Sequence, residues 1–434
     1  MNQRETLCIN KNGQLEIGKI PCISLAKEYG TPLYVMDKKY VEDMCRIYSQ
    51  TLEKEYGQGL ISYASKAFSC KEIYRIVDKM GIGTDVVSAG ELYTALSVGF
   101  PADKICFHGN NKSLSELEYA IENNVGLIVI DSFSEADDIS KIASSHSKTQ
   151  EVLIRVNPGV EAHTHEFIQT AKVDSKFGFS IETGEADEII SYIRNIPNIS
   201  LRGLHCHIGS QIFENKSYIL AVEKMTDYYK KLKDNYDIEF DVLNLGGGFG
   251  IYYSDDDDKK SCNDYSEYIK VISNALKKAV VEKNIKKPFL ILEPGRSIVG
   301  EAGITIYTAG RIKEIKGIKN YIAVDGGMFD NPRFALYQAK YTVVPADKML
   351  DVCVKNYTIA GKCCESGDII AENCPLPEMH EGDIIAVLST GAYNYSMSSN
   401  YNRNHVPPVV MVENGKSYYA VKPQSFEDLT RNDI

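Results

Sequence analysis

The sequence lacks any hydrophobic run long enough to cross a membrane, and it lacks an excess of basic residues. Its longest apolar stretches, such as residues 125–130, are far shorter than the roughly 18 residues of a membrane-spanning helix. The net charge of −11 argues against nucleic-acid binding as the main activity, because phosphate contacts require a basic face. The N-terminal residues contain no apolar segment, so we expect no secretory signal.

Cysteine pairs at redox or metal-binding spacings are also missing. The eleven cysteines, an odd number, are scattered from Cys8 to Cys374 without a Cys-x-x-Cys pair. This pattern favours free thiols over a disulfide framework and indicates a reducing cytoplasm. The 434 residues, 44% of them hydrophobic and 25% charged, are typical of a globular protein whose core needs no covalent staple.

Short β-rich runs alternate with longer helical patterns over about residues 55–295. Such alternation is typical of parallel βαβ units, and eight strands of this kind predict a (β/α)8 TIM barrel. The strands are predicted at residues 60–64, 83–86, 105–108, 126–130, 152–156, 201–207, 242–245 and 289–293.

The pattern changes after about residue 296 to short β-like runs separated by turn residues. This texture predicts an all-β domain, and the first 30 residues share it. We therefore predict an α/β plus all-β chain: an N-terminal segment (1–30) pairing with the β domain, a cofactor-binding barrel (31–295) and a C-terminal β-barrel or β-sandwich domain (296–434) joined by the N-terminal strand. The charged run at residues 254–260 is interpreted as a solvated loop.

Polar residues and glycines recur where the predicted barrel strands end. One such residue reflects ordinary turn chemistry, but barrel enzymes build their active sites at the C-terminal ends of the strands. The recurrence therefore predicts a site. Its members are Lys66, Asp85, His108, Asn157, His207, the glycines 246–248 and Glu293.

Lys66 directly follows a predicted strand. A lysine among the low-dielectric walls of a barrel has a lowered pKa, and its neutral amine can bond to an aldehyde; a surface lysine is the alternative. Gly246, Gly247 and Gly248 would let the backbone aim its amides at a phosphate. They lack the spacing of a dinucleotide or Walker loop, and a tight turn is equally consistent with them.

Glu293 stands just before Arg296 in the sequence Glu-Pro-Gly-Arg. The two could form a plain ion pair, or the carboxylate could bond to a protonated ring nitrogen while the arginine faces a phosphate or carboxylate. His205 and His207 share one strand face. No third ligand is evident, so we predict no metal, and a stacking imidazole or a core histidine fits as well.

These groups converge on pyridoxal phosphate, which needs a lysine, a phosphate cradle, a partner for its ring nitrogen and a group packed on the ring. Nearly end to end, the chain also resembles the fold type III pyridoxal-phosphate-dependent decarboxylases, which have the alanine-racemase fold. The motifs that carry the resemblance are YASKA at 63–67, DVVSAGEL at 85–92, FHGNNKS at 107–113, SKFGF at 175–179, HIGSQ at 207–211, GGGFG at 246–250, EPGR at 293–296, CESGD at 364–368 and GAY at 391–393.

The resemblance implies a role for each matching residue. Lys66 would hold the cofactor covalently, His207 would stack on its ring, and Glu293 would keep the ring nitrogen protonated. Further cofactor contacts would come from Asp85, His108, Arg155, Ser210, Gly247, Gly248, Gly295 and Tyr393. Substrate contacts would come from Arg296, Arg333, Tyr337, Glu365 and Tyr393. Cys364 and Glu365 would enter the active site of the partner in a homodimer, and either Lys66 or Cys364 would supply the catalytic proton.

The activity that the resemblance implies is the conversion of meso-2,6-diaminopimelate to L-lysine and carbon dioxide. A carboxylate at Glu293 favours decarboxylation over racemisation, since racemases of this fold place an arginine there. Arg333 favours a substrate with a distal carboxylate. Two alternatives stay open: a related decarboxylase for another amino acid, and a non-catalytic cofactor-binding relative. One departure from the family pattern is Gln338, where glycine is expected.

Overall fold

The computed structural model of the protein describes residues 6–160, 175–254, 257 and 264–434. The described residues form two compact units. The first lies within Met44–Gly250 and Lys260–Gly295, and the second within Met1–Asp43, Ile251–Lys259 and Arg296–Ile434. Much of the charged run, residues 255, 256 and 258–260, lies outside the described residues. Within the described ranges, no helix has the length and apolar character needed to span a membrane.

Strands and helices alternate through the first unit, and strands dominate the second. The strands are β1 (Leu7–Ile9), β2 (Leu15–Ile17), β3 (Ile20–Pro21), β4 (Leu33–Asp37), β5 (Gly59–Ala64), β6 (Gly83–Val86), β7 (Ile105–Phe107), β8 (Leu127–Ile130), β9 (Gln150–Asn157), β10 (Phe179–Ser180), β11 (Ile199–His205), β12 (Val242–Asn244), β13 (Phe289–Leu292), β14 (Gly303–Ile315), β15 (Lys319–Val324), β16 (Val343–Pro345), β17 (Lys355–Ala360), β18 (Ile369–Leu376), β19 (Ile384–Val387), β20 (Val409–Glu413) and β21 (Lys416–Val421). The helices are α1 (Cys22–Tyr29), α2 (Lys38–Glu55), α3 (Lys71–Lys79), α4 (Ala89–Leu96), α5 (Leu114–Glu122), α6 (Phe133–Ser145), α7 (Glu185–Ile193), α8 (Asn215–Tyr236), α9 (Tyr265–Glu282), α10 (Arg296–Val299), α11 (Arg333–Tyr337) and α12 (Phe426–Thr430).

The first unit is a closed barrel of parallel strands, which confirms the predicted fold class. The strands pair in the order β9, β11, β12, β13, β5, β6, β7 and β8, and β8 pairs with β9 to close the ring. The bounds of the eight predicted strands differ from these by at most two residues. Apolar side chains from five of these strands fill the inside of the barrel: Cys106, Val129, Leu153, Val242 and Ile291.

Polar caps begin several barrel helices soon after the preceding strand ends. The Ser88 side chain accepts from the Glu91 amide at the start of α4, and Ser113 forms a reciprocal capping box with Glu116 at the start of α5. Each cap satisfies a backbone amide that has no partner inside the helix. The strand-to-helix connections are therefore short and well defined, and these connections carry most of the predicted site.

The second unit is built around β14, which pairs antiparallel with β15, β19 and β4. The sheet runs in the order β18, β17, β15, β14, β4, β20 and β21. Strands β1, β2 and β3 form a small separate sheet. Leu15 and Ile17 of that sheet pack in one core with Ile304 and Val410, so the N-terminal segment is part of this unit.

Strands β17, β18 and β21 of the second unit are not among the β-like runs that the sequence pattern indicates, and β17 and β18 pair with each other. Their pairing is interrupted by register shifts, and β18 contains Asn373 and Pro375, so they show no regular alternation. Strand β4 is buried along its whole length and pairs with β14 and β20. The sequence of a fully buried strand does not show whether the strand belongs to a barrel or to a mixed sheet. The domain boundaries predicted at residues 30 and 295 stay a prediction.

Candidate active site

Glu293 follows β13 and is the centre of a buried polar cluster at the end of the barrel. Its Oε1 accepts a hydrogen bond from Asn244 Nδ2 at 2.6 Å and another from His108 Nε2 at 2.8 Å. Its Oε2 lies 3.4 Å from His205 Nε2. Burial alone would raise the pKa of Glu293, but His108 and His205 outweigh burial and hold that pKa well below the usual range. The carboxylate is therefore ionised and suited to a cationic partner.

The imidazoles of His205 and His207 share a lowered pKa and differ in accessibility. Burial lowers the pKa of His205 to about 4, although the charge of Glu293 opposes the shift, so its ring is neutral at physiological pH. Burial, followed by the charge of Lys66, lowers the pKa of His207 well below its usual value. His207 is only half-buried, so a neutral ring face is available for stacking.

Lys66 lies in a short 3-10 turn, Ser65–Ala67, directly after β5, and its side chain is exposed. Its charge nevertheless acts on the buried Asp85 and on His207, so Lys66 lies at the same end of the barrel as the carboxylate cluster. The turn is held by the Ser65 amide, which donates to Asp85 Oδ1 at 3.1 Å. Burial and the charge of Glu293 raise the pKa of Asp85 well above its usual range.

The glycine loop after β12 is closed to any side chain. A Cβ on Gly247 would lie 2.0 Å from the carbonyl oxygen of Glu293, and a Cβ on Gly248 would lie 2.2 Å from that of Gly209. Gly246 and Gly248 have φ of +65° and +95°, which favour glycine. A loop of this kind presents backbone amides to an anion, and it therefore fits the phosphate of a pyridoxal cofactor.

The remaining cradle residues lie on neighbouring connections. The Ile212 amide donates to the Gly248 carbonyl at 2.9 Å, which joins the glycine loop to the segment of Ser210. A Cβ on Gly295 would lie 2.7 Å from the Cβ of Ala64, so this position also requires glycine. The structure thus brings the segments of Ser210, Gly247, Gly248 and Gly295 together within the barrel unit.

Arg155 and Asn157, at the end of β9, have local partners. The Arg155 guanidinium lies 4.2 Å from the centre of the Phe177 ring. Burial lowers its pKa, and the charge of Asp131 opposes that shift. Asn157 Oδ1 accepts from the Gly159 amide at 3.0 Å, as a turn-closing side chain does. The charge of Arg155 also acts on Glu293, His205 and His207, so Arg155 lies near the carboxylate cluster, whereas Asn157 closes its own turn.

One group of potential metal ligands lies in the described part of the chain: Cys106, His108 and Glu293, whose ligand atoms lie within 4.8 Å of one another. Burial, together with the charges of Glu293 and Asp85, raises the pKa of the Cys106 thiol well above its usual value. A protonated thiol is a poor metal ligand, and His108 already donates to Glu293. The group is better described as part of the carboxylate cluster.

A second cluster of predicted residues lies in the other unit. Arg296 and Arg333 are 8% and 7% exposed. Arg296 Nη1 donates to the Tyr253 hydroxyl at 2.5 Å, and Arg333 Nη1 donates to the same hydroxyl at 3.0 Å. Arg333 Nη1 also donates to the Tyr341 hydroxyl at 2.7 Å. Two buried guanidiniums that share one phenol are suited to an anionic ligand.

The other predicted substrate residues are distributed unevenly around this cluster. The Tyr393 ring lies 4.7 Å from Arg296 Cζ and belongs to the cluster. Tyr337 is 41% exposed, and in the described ranges no hydrogen bond or ring contact joins it to the arginines. Cys364 and Glu365 are exposed. Their loop is anchored by the Cys364 amide, which donates to Asn402 Oδ1 at 3.0 Å.

Three contacting residues were missed by the sequence interpretation: Asn244, Tyr253 and Tyr341. Asn244 ends β12, so the strand-end criterion that found the other residues would have found it too. Tyr253 and Tyr341 lie outside the strands. The sequence contains 28 tyrosines, and nothing in the pattern distinguishes these two from the rest.

The fold and the first cluster together define a class: a (β/α)8-barrel protein with a lysine turn, a glycine cradle and an ionised carboxylate for a pyridoxal cofactor. Residues 43–300 match the family model of the pyridoxal-dependent decarboxylases, pyridoxal binding domain. The chain is 48% identical over 417 residues to diaminopimelate decarboxylase of Bacillus methanolicus, with 96% of each chain covered. It is 45% identical over 425 residues to that of Bacillus subtilis, covering 98% of this chain and 96% of the relative.

Solved structures agree with these relatives. Diaminopimelate decarboxylase from M. jannaschii matches with a TM-score of 0.90 at 33% identity, covering 99% of this chain and 98% of that one. The Helicobacter pylori enzyme in complex with L-lysine matches with a TM-score of 0.85 at 31% identity, covering 94% and 98%. The chain therefore belongs to the diaminopimelate decarboxylases of the pyridoxal-dependent decarboxylase family.

Proposed function

We propose that this chain catalyses the pyridoxal-phosphate-dependent decarboxylation of meso-2,6-diaminopimelate to L-lysine and carbon dioxide, the last step of lysine biosynthesis. The observation that carries the proposal is the 48% identity, over 96% of both chains, to a diaminopimelate decarboxylase. The ionised carboxylate in the barrel and the paired guanidiniums in the second unit support the proposal, because the reaction would need both kinds of group.

Bound pyridoxal phosphate supplies an electron-accepting ring for the electron pair of the broken Cα–carboxylate bond. Glu293, ionised and buried, would keep a proton on the ring nitrogen, and His108 and Asn244 fix the orientation of its carboxylate. The neutral imidazole of His207 would pack on the ring. Lys66, exposed at the end of its turn, would hold the cofactor covalently.

The remaining cofactor contacts are proposed from the cradle and its surroundings. The amides of Gly247 and Gly248 would bind the phosphate, with Ser210, Gly295 and Tyr393. Asp85, His108 and Arg155 would line the cleft. The glycine positions support this assignment most directly, because a side chain at any of them would collide with a neighbouring segment and displace the loop.

The distal carboxylate of the substrate is assigned to Arg296 and Arg333, with Tyr337, Tyr393 and Glu365 as further substrate contacts. A guanidinium with its partner missing is costly when buried, on the order of several kcal/mol. Ornithine or lysine bound as a substrate has no second carboxylate at its distal end. Either substrate would therefore leave Arg296 and Arg333 without an anionic partner. Arg333 thus selects for a dicarboxylic substrate.

We further propose that the working unit is a homodimer in the cytoplasm, with Cys364 and Glu365 entering the partner's site. The exposure of both residues on one anchored loop supports the shared site. The free thiols of the ten described cysteines support a reducing compartment such as the cytoplasm. Lys66 and Cys364 both remain candidates for the group that protonates the substrate carbon.

The direct test of the activity is incubation of the purified protein with meso-diaminopimelate and pyridoxal phosphate. We expect L-lysine and carbon dioxide in equal amounts, and little reaction with L-ornithine or L-lysine. Release of carbon dioxide from ornithine in preference to meso-diaminopimelate would identify a related decarboxylase. Cofactor binding without any turnover would identify a non-catalytic relative.

The shared site is tested by mixing two inactive variants, Lys66→Ala and Cys364→Ala. In a mixed dimer, one site would receive both residues intact and the other would carry both lesions. By the symmetry of a two-fold dimer, statistical exchange should restore about a quarter of wild-type activity. Exchange confirmed without recovered activity would show that Cys364 acts within its own chain or not at all.

A further inference from the structure

Tyr253 occupies an unusual position between the two arginines of the second cluster. Its hydroxyl oxygen accepts hydrogen bonds from Arg296 Nη1 at 2.5 Å and from Arg333 Nη1 at 3.0 Å. All three side chains are buried. One neutral oxygen thus bridges two like charges, in the way that one carboxylate oxygen would.

The phenol hydroxyl of Tyr253 can bond to both arginines and still donate to a ligand. A tyrosine hydroxyl can accept two hydrogen bonds and still donate one. Burial would raise the pKa of Tyr253, but the charges of Arg296 and Arg333 outweigh burial and lower it. The oxygen is therefore strongly polarised, and its own hydrogen remains available to an acceptor that approaches the arginines.

The backbone of Tyr253 is fixed as firmly as its hydroxyl. The Tyr253 amide donates to Asp257 Oδ2 at 2.9 Å, and its carbonyl accepts from the Thr342 amide at 3.1 Å and the Thr342 hydroxyl at 2.9 Å. The Tyr341 ring packs edge-on at 5.3 Å. These contacts tie Tyr253 to the residues that precede β16, so the phenol is placed before any ligand arrives.

We propose that Tyr253 is a specificity-determining residue, whose hydroxyl holds Arg296 and Arg333 at the spacing of one carboxylate and donates a hydrogen bond to that carboxylate. The inference rests on the proposed function, in which these arginines receive the distal carboxylate of the substrate. It adds a third, neutral contact that is lost when the substrate lacks that carboxylate.

The test compares two ligands that differ by this carboxylate. L-Lysine, the proposed product, retains the distal carboxylate, and cadaverine is the same molecule without it. Both are titrated into the holoenzyme of the wild type and of Tyr253→Phe, and KM and kcat for meso-diaminopimelate are measured in parallel. Tyr357→Phe is the matched control, since Tyr357 is a buried tyrosine of the same unit whose hydroxyl contacts the Met379 amide at 3.5 Å.

We expect Tyr253→Phe to weaken L-lysine binding by about ten- to a hundredfold, the range for a hydrogen bond to a charged group, and to leave cadaverine binding unchanged. KM for meso-diaminopimelate should rise while kcat changes less. Tyr341→Phe, which removes one bond to Arg333, should show a smaller effect of the same kind. The control should bind both ligands as the wild type does.

Equal effects of Tyr253→Phe on the two ligands, or no effect on either, would overturn the specificity role. A wild type that binds L-lysine no better than cadaverine would overturn it as well, because no carboxylate clamp would then exist. A wild type that prefers L-lysine but does not convert meso-diaminopimelate would instead overturn the proposed function and leave the clamp in place.

Discussion

The barrel cluster and the arginine cluster each hold charged side chains in a buried position, and their charges have opposite signs. In the barrel, the Glu293 carboxylate is buried among imidazoles and an amide, and its low pKa keeps it negative. In the second unit, Arg296 and Arg333 are buried on phenol oxygens, and their guanidiniums carry the positive charge that arginine always has in a protein. Each of these buried charges is able to attract a ligand group of the opposite sign. The first cluster suits a cationic ring nitrogen, and the second suits a carboxylate.

The largest expected effect comes from removing the residue that anchors the cofactor in the barrel. Lys66→Ala should lower turnover by about a thousandfold or more, because the covalent attachment is lost, while phosphate-dependent cofactor binding partly remains. Borohydride reduction followed by peptide mapping should place the cofactor on Lys66. Lys112 serves as the internal comparison, since it is held in a buried ion pair with Glu135 at 2.6 Å. An adduct on Lys112 or Lys176 would disprove the assignment.

The second-largest effect is expected from removing the charge of Glu293, the carboxylate at the centre of the barrel cluster. Glu293→Gln keeps the shape of the side chain and removes its charge, so the ring nitrogen would lose its proton and kcat should fall by about a hundredfold. Substrate affinity should change less. Asp85→Asn is the matched comparison, because the raised pKa of Asp85 makes its neutral form more accessible, and its effect should be smaller. Near-normal kcat in Glu293→Gln would refute the charge argument.

The two clusters also differ in how far their residues could be predicted from the sequence. Most residues of the barrel cluster lie at strand ends, and the strands alternate regularly with helices, so one rule places Asp85, His108 and Glu293 at a common face. That rule predicts proximity and says nothing about exposure. Lys66 was expected in low-dielectric surroundings, and its side chain is exposed in the 3-10 turn that follows β5.

The second cluster follows no such rule. Arg296 and Arg333 are separated by two strands and a loop, and the phenols that hold them come from loop segments. The resemblance to a known family supplied the arginines and Tyr393, with Tyr337 as a further substrate contact that stays a prediction. The described hydrogen bonds to the arginines come from Tyr253 and Tyr341. Long-range pairing in a mixed sheet leaves no periodic signal, as the missed strands β17 and β18 also illustrate.

A smaller effect is expected from changing the shape of one positive charge. Arg333→Lys keeps the charge but loses the planar guanidinium fork, whose Nη1 donates to both Tyr253 and Tyr341. KM for meso-diaminopimelate should rise by about tenfold, and kcat should fall less. Arg311→Lys is the control, since Arg311 pairs with Glu381 in an exposed salt bridge, which contributes little. Unchanged KM in Arg333→Lys would argue that the fork geometry is unimportant.

The smallest effect concerns the helix that carries Arg333. Gln338 ends α11 with φ of +54°, a left-handed conformation that glycine adopts without strain. Gln338→Gly should therefore stabilise the protein by about 1 kcal/mol or less, because part of the relieved strain is offset by the greater backbone entropy of unfolded glycine. Asn373→Gly is the comparison: Asn373 also has φ of +54°, but asparagine tolerates this region better, so the gain should be smaller. The melting temperature, measured with unchanged KM, checks this order. A lower melting temperature for Gln338→Gly would show that the Gln338 side chain, whose Nε2 donates to the Phe334 carbonyl at 3.2 Å, stabilises the end of the helix more than its backbone strains it.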